Sequence, residues 1–253
     1  MYLITLESDN LRRKVLEKNF PKNYKNFNIV YAVDGRVMTA RDYFLDICSY
    51  FKQYKQLMSP AELGCTLSHV NALNLFLQSG CEKGLILEDD VIGNDHDLEV
   101  IKSIANKLPD NSLLICGAQD GIKNNYLFGR YSKDKCVYEL ANFSYSHIFR
   151  TCCYVVTRKS ALAMIEYQKK NKTLADKWGE FFTNTDIKIL YKNIMAHPID
   201  LTQSHIESER TINDLKKIDK LFSLEVVPRI LNKIRNFLYY YLYKILPFWK
   251  KIN

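Results

Sequence analysis

Gly84-Leu85-Ile86-Leu87-Glu88-Asp89-Asp90 is a short apolar run that ends in three consecutive acids. Gly84 to Leu87 have the length and bounds of a buried parallel strand. In open α/β sheets, ligands sit just beyond the carboxyl ends of the strands. Three carboxylates at such an end repel one another unless something positive joins them. A hard divalent cation that also grips a substrate's phosphates is one such partner. The residues therefore point to a metal-assisted enzyme acting on a diphosphate compound. A solvated acidic turn is the other reading of the same residues.

Strand and helix signals alternate around this run, the pattern of an α/β fold. Met1 to Glu7 reads as an opening strand. Ser8 or Asp9 then caps a helix through Phe20, with Leu11, Val15 and Leu16 on one side. Phe27 to Val33 is a second strand, closed by the Asp34-Gly35 turn pair. Residues 40–57 have no clear assignment. Ser59-Pro60-Ala61-Glu62 carries a capping Ser, Pro at the first helical position and Glu three after the cap. The helix it opens runs to about Gln78 and stops at Gly80, with Met58 and Leu63 placed for a hydrophobic staple. Leu63, Leu67, Val70, Leu73 and Leu77 form its core face by 3–4 spacing, and Glu62, Cys65, Ser68 and His69 lie on a neighbouring arc. That second arc faces a site, or it satisfies loop backbone groups. Farther on, Leu98–Leu108 is helical, Ser112–Cys116 is a buried strand, Thr151–Thr157 is a strand, and 159–168 is a helix. Residues 118–150 suit short antiparallel strands or a lid loop. Residues 172–186 are a polar and aromatic stretch holding Asp176, Trp178, Glu180 and Asp186.

The 253 residues are 47% hydrophobic and 25% charged, which suits one large domain with or without an appendage. A net charge of +8 favours anionic partners. Seven cysteines with no C-x-x-C pair indicate neither a disulfide framework nor a zinc site, and suit a reducing compartment. The first residues lack a basic leader and a long apolar core, so a signal peptide is not expected. No apolar window approaches the ~18 residues of a membrane span, and a cytoplasmic protein is the expectation. From Val226 to Asn253 the character changes. The segment holds Arg229, Lys233, Arg235, Lys244, Lys250 and Lys251, no acids, and a dense aromatic set. A basic amphipathic helix of this kind suits the surface of an anionic membrane; packing on the main domain, or between two copies, is the competing reading. The domain division read from this is 1–225 and 226–253. Nucleic-acid binding is disfavoured, because the basic excess lies in the tail while the strand-end acids repel phosphate.

These segments together resemble glycosyltransferase family 25, of the bacterial lipooligosaccharide galactosyltransferase type. The matching residues are Leu6-Glu7 with Arg12-Arg13, Tyr31 to Gly35, Ser59 to His69, Leu85 to Val91, Tyr154 to Thr157, Ala175 to Trp178, and Pro198 leading to Gln203-Ser204. The Ser59 helix and the Glu88-Asp89-Asp90 run, in this order, are the specific part. The resemblance implies a GT-A-like nucleotide-binding sheet merged with an acceptor-binding half. It also implies a UDP-sugar donor, commonly UDP-galactose, a divalent metal, usually Mn²⁺, and transfer with inversion. The acceptor would be a lipid-linked oligosaccharide at the cytoplasmic face of the inner membrane.

On this reading Asp90 is the principal metal ligand, with Glu88 or Asp89 assisting and His205 a further candidate. Glu88 stands where related folds often carry Asp. Asp176, Glu180 and Asp186 are candidates for the base that takes the acceptor hydroxyl's proton, Asp176 foremost. Asp34 and Arg12 are candidates for reading the nucleotide, and Trp178 for lying against a sugar face. A glucosyl- or N-acetylhexosaminyltransferase of the same fold is the alternative, as is a non-catalytic sugar-nucleotide or nucleic-acid binder.

Overall fold

The computed structural model describes residues 1–122, 124–200, 206, 209 and 226–252. Its backbone is a nine-stranded mixed sheet in the order β2-β1-β3-β7-β4-β8-β6-β5-β9. The strands are β1 (Tyr2–Thr5), β2 (Asn28–Tyr31), β3 (Lys83–Glu88), β4 (Ser112–Gly117), β5 (Phe128–Ser132), β6 (Val137–Leu140), β7 (Cys153–Thr157), β8 (Lys188–Met195) and β9 (Lys250–Lys251). The β1 strand is parallel to β2 and β3, and β4 is parallel to β8. Between β3 and β4 runs β7, antiparallel to both. The carboxyl ends of β1, β3, β4 and β8 therefore share one edge with the start of β7.

Alternation along the central strands divides the core into two faces. Tyr2, Ile4, Ile86, Ile115, Tyr154, Val156 and Ile189 point one way, onto Phe76 and Leu73 of α3 (Pro60–Gln78) and Met164 of α5 (Arg158–Lys170). Leu3, Leu85, Leu87, Leu114, Val155 and Leu190 point the other way, onto Leu16 of α1 (Asn10–Asn19) and Ile101 of α4 (Asp95–Ala105). The result is a three-layer α/β/α unit. A smaller cluster joins α2 (Ala40–Tyr54) to the start of α3 through Ile47, Tyr50, Met58 and Leu63.

The α3 capping box is present as expected: Glu62 N donates to Ser59 Oγ at 3.2 Å and Ser59 N to Glu62 Oε2 at 2.9 Å. The helix is buried on more than one stripe, because Ala61, Gly64, Thr66, Ser68, His69 and Ala72 join Leu63, Leu73 and Phe76 in the interior. Gly64 permits the closest approach. A Cβ there would lie 2.4 Å from Val33 O, and one at Gly35 would lie 1.8 Å from Pro60 O. The loop after β2 is thereby pressed onto the first turns of α3.

One expectation needs correction. Leu11 and Val15 of α1 are 78% and 57% exposed, so only Leu16 and the following Phe20 anchor that helix. Residues 40–54, which carry no clear pattern, are the helix α2, with Thr39 accepting from Asp42 N at its start. Among the cysteines, Cys48, Cys81 and Cys136 are exposed and Cys116, Cys152 and Cys153 are buried; none of the seven is disulfide-bonded.

The short α6 (Trp178–Phe182) follows the polar stretch. The C-terminal helix α7 (Val226–Ile245) is built onto the far end of the sheet. Tyr239 and Tyr243 lie against Phe143, and Tyr240 lies against Phe128 and Tyr126. Beyond it, β9 pairs with β5, and Ile252 N donates to Leu127 O at 2.8 Å. Among the described residues no helix is long and apolar enough to cross a membrane.

Candidate active site

The shared strand edge carries the acids. Glu88 ends β3, and Asp89 and Asp90 follow it into a cleft walled by Thr5, Arg12, the 33–36 loop, and Cys65 and His69 of α3. Each acid has a different set of partners. Glu88 Oε1 lies 3.0 Å from His69 Nε2 and also accepts from the Thr151 hydroxyl. His69 Nδ1 lies 2.9 Å from the Tyr154 hydroxyl, so the imidazole is held at both ends. Asp89 turns back to β1. It accepts from Thr5 Oγ1 at 2.6 Å and from Arg12 Nη1 at 2.8 Å. Asp90 Oδ2 lies 3.4 Å from His197 Nε2, two residues past the end of β8, and 3.9 Å from Arg12.

Charge follows these contacts. Burial pulls the His197 imidazolium down, yet its bond to Asp90 and that carboxylate's charge outweigh it, and its pKa ends above the usual value. Burial pushes Asp90 up, while His197 and Arg12 pull harder and leave it below the carboxylate range. Each thus favours the charged form of the other. Cys65 is different: burial, then the charges of Glu88 and Asp176, push its thiol well up, so it stays protonated and unreactive.

The residues entering β7 tie these groups together. Arg150 N donates to Asp176 Oδ2 at 3.1 Å, the Thr151 hydroxyl donates to Glu88, and Cys152 Sγ lies 3.8 Å from Asp90 Oδ1. Arg150 adopts a left-handed conformation, φ 67°, and its guanidinium bonds Ala118 O and Asp120 O at 2.8 and 2.9 Å. That clamp fixes the segment on which the three acids converge.

The residues singled out in the sequence separate accordingly. Glu88, Asp89, Asp90, Arg12 and Asp34 line the cleft. Asp34 has turn chemistry as well, accepting from Arg36 N at 3.0 Å and pairing with the Arg36 guanidinium at 2.7 Å. Asp176 does not line this cleft; it accepts from Arg150 N, next to Thr151, and lines a second cavity beside α6. Glu180 is half-buried and holds the hydroxyls of Tyr54 and Tyr167, which makes it a brace for α6. Asp186 is excluded from the site: it lies at the opposite sheet edge, before β8, exposed and paired with Lys159. Trp178 is fully buried among Tyr154, Phe181 and Phe182, so its ring faces are not open to a sugar. Ser68 serves backbone, accepting from Val33 N at 2.8 Å. His205, Gln203 and Ser204 lie outside the described residues.

Sequence reasoning missed His197, Thr151 and Arg150. The stretch Ile187 to Tyr191, apolar but for Lys188, was the available signal for β8, and hence for a ligand-bearing residue past its end.

Among the described residues, two donor sets are available to a cation. Asp90 with His197 offers carboxylate oxygen and, once His197 gives up its proton, imidazole nitrogen, a pairing that suits Mn²⁺. Cys65, His69 and Glu88 also converge, with ligand atoms within 4.8 Å of one another. There the thiol is protonated, and Glu88 Oε1 is already engaged by His69 and Thr151. The first set fits a hard divalent cation better.

A family model described as glycosyltransferase family 25 (LPS biosynthesis protein) matches residues 1–178. It ends at Trp178, before His197 and the C-terminal helix. No curated protein matches the chain. Among solved structures, mannose-1-phosphate geranyltransferase from Thermus thermophilus aligns with a TM-score of 0.43 and 11% identity, over 76% of this chain and 73% of that one.

Proposed function

The chain belongs to glycosyltransferase family 25, and we propose that it moves a hexose, galactose first, from a UDP-sugar onto a lipopolysaccharide or lipooligosaccharide acceptor with inversion. The observation that carries this reading is the convergence on Arg150–Cys152. Consecutive Cα atoms lie about 3.8 Å apart, so three successive residues place Asp176 within a short reach of Glu88 and Asp90. One end of that row borders the cleft at the strand edge; the other borders the acceptor side.

On this reading the fold is GT-A-like, with the nucleotide between the 33–36 loop and the ends of β1 and β3. Asp90 and His197 would hold the divalent cation, which when bound neutralises charge on the donor's pyrophosphate. Arg12, fixed by Asp89, adds positive charge at the same wall. Asp176 takes the proton of the acceptor hydroxyl as its oxygen bonds the sugar's C1; the bond from C1 to phosphate breaks, and UDP departs. The clamp from Arg150 N orients that carboxylate. Asp90, engaged by His197, and the hydrogen-bonded Glu88 are poorly placed to act as the base.

The outer face of α7 supports the proposed location. Leu231, Ile234, Phe237, Leu238, Leu242 and Ile245 are exposed, with Lys233, Arg235 and Lys244 alongside. Apolar anchors beside cations suit an anionic bilayer surface, here the cytoplasmic face that carries a lipid-linked acceptor.

A UDP-sugar screen with Mn²⁺ and a short core oligosaccharide tests the reading. Wild-type protein transfers one sugar, and Asp176→Asn, which keeps an oxygen to accept from Arg150 N, loses about 10²–10⁴-fold in turnover with its fold retained. Turnover by the variant within a few-fold of wild type would remove Asp176 from the mechanism.

A further inference from the structure

Part of the wall of the strand-edge cleft comes from beyond the family match. The other described lining residues fall between Ile4 and Asp90, whereas Ile206 lies past Trp178, where the match ends. Glu209 accompanies it. Both residues are helical and half-buried, and a separation of three puts them on one helix face. Glu209 Oε2 accepts from Ala61 N, in the first turn of α3, at 2.9 Å, and Ala61 lines the cleft. Among the described residues Glu209 makes no other hydrogen bond, so its second carboxylate oxygen has acceptor capacity to spare.

The charges nearby decide which part of a ligand this carboxylate can meet. Arg36 also lines the cleft, and Asp34 holds its guanidinium at 2.7 Å. That bond first, then the charges of Asp34 and Glu209, raise the Arg36 pKa against the pull of burial. The 33–36 loop and Glu209 thus bring two carboxylates around one guanidinium that is already paired. Such a wall repels phosphate oxygens and accepts from hydroxyl groups. The donor reading sets the diphosphate beside Arg12 and Asp90 and leaves the 33–36 loop to the nucleoside. Acidic side chains read ribose hydroxyls in other nucleotide-binding α/β folds.

We propose that Glu209, anchored by Ala61 N, accepts from the ribose hydroxyls of the donor nucleotide, with Ile206 packed against the nucleoside. The proposal rests on the transferase reading and adds a specificity-determining residue from outside the family match.

The test is calorimetry of the full-length protein with UDP, 2′-deoxy-UDP and 3′-deoxy-UDP in the presence of Mn²⁺. Wild type is expected to bind UDP about tenfold tighter than at least one deoxy analogue. Glu209→Ala is expected to bring UDP down to the level of that analogue and so erase the preference. Glu209→Gln, which keeps an oxygen for Ala61 N, is expected to fall between the two. In turnover assays the donor KM of Glu209→Ala should rise by a similar factor with little change in kcat, because the ribose is remote from the bond that breaks. A preference that survives intact in Glu209→Ala, with only stability lowered, would make Glu209 a cap for α3 and overturn the assignment. Tighter UDP binding by Glu209→Ala would also overturn it, since the carboxylate would then be a competitor of the diphosphate. Should Glu209→Ala fail to fold, an unchanged preference in Glu209→Gln overturns it instead. UDP that does not bind wild type overturns the donor reading and this assignment together; UDP bound with the preference intact in the variants overturns this assignment alone.

Discussion

Asp89 turns back onto Thr5 and Arg12, while Asp90 beside it meets His197 across the cleft. Neighbours in sequence thus have separate jobs, and their substitutions separate too. Asp89→Asn weakens a buried tie between β1, α1 and β3, and is expected to lower unfolding stability by roughly 1–3 kcal/mol in urea titrations. Asp90→Asn leaves that tie intact, gives up the pairing with His197, and is expected to abolish metal-stimulated transfer. The reverse pattern would mean the two assignments are exchanged. The acidic run was legible because three carboxylates at a strand end are conspicuous in any sequence. Their individual roles were not, since the partners come from far along the chain: His69 from α3, Thr151 from the entry to β7, His197 from beyond β8. A lone histidine between Ala196 and Pro198 has no spacing that marks it. Asp186 misled for the opposite reason, since proximity to Asp176 in sequence says nothing about which edge of the sheet a residue reaches.

Helix α3 decides how closely the 33–36 loop can approach, and it does so through absent side chains. Gly64→Ala puts a methyl 2.4 Å from Val33 O, so either loop or helix must move. Overpacking of this kind costs about 1–3 kcal/mol, and loss of UDP affinity should accompany it in calorimetry. Wild-type affinity and stability would show the contact to be slack. The α3 cap, staple and 3–4 spacing were readable because they are local. What periodicity could not give was how many sides of the helix are covered, as neighbours on several sides bury Ala72, Ser68 and His69 too. In α1 the error ran the other way: Leu11 and Val15 have the right spacing, but no described element covers them. At the start of α4, Asp95 accepts from Lys22 N, Asn23 N and the Asn23 amide at 3.0, 3.1 and 2.8 Å. Desolvation nudges its carboxyl up, and these bonds outweigh that and hold it below its ordinary value. A depressed pKa contributes stability above the unfolded value of about 3.9 and loses it as pH falls through the folded one. Wild type should therefore lose Tm relative to Asp95→Asn as pH drops below about 4, and parallel curves would contradict the link.

Across the whole molecule, the sheet joins two halves with different jobs. The parallel strands gather the acids at one edge, while β5, β6 and β9 form a wing that seats the C-terminal helix. The basic aromatic tail was recognisable from composition, yet composition could not tell its two faces apart. Tyr239, Tyr240 and Tyr243 dock on the wing, and Ile252 reaches the main core. Removing residues 226–253 would thus strip a strand and uncover Phe128 and Phe143, so surface substitutions are the cleaner probe. Phe237→Ser with Leu238→Ser should weaken binding to phosphatidylserine vesicles while transfer to a soluble acceptor is retained; unchanged vesicle binding would rule out this face as the anchor. The account as a whole depends on where the donor sits. A crystal structure with UDP and Mn²⁺ tests that most directly. The diphosphate is expected beside Arg12 and Asp90, with the cation on Asp90 and His197 and Asp176 facing the vacant sugar position. Nucleotide bound away from the ends of β1 and β3, or a cation that leaves Asp90 untouched, would contradict it.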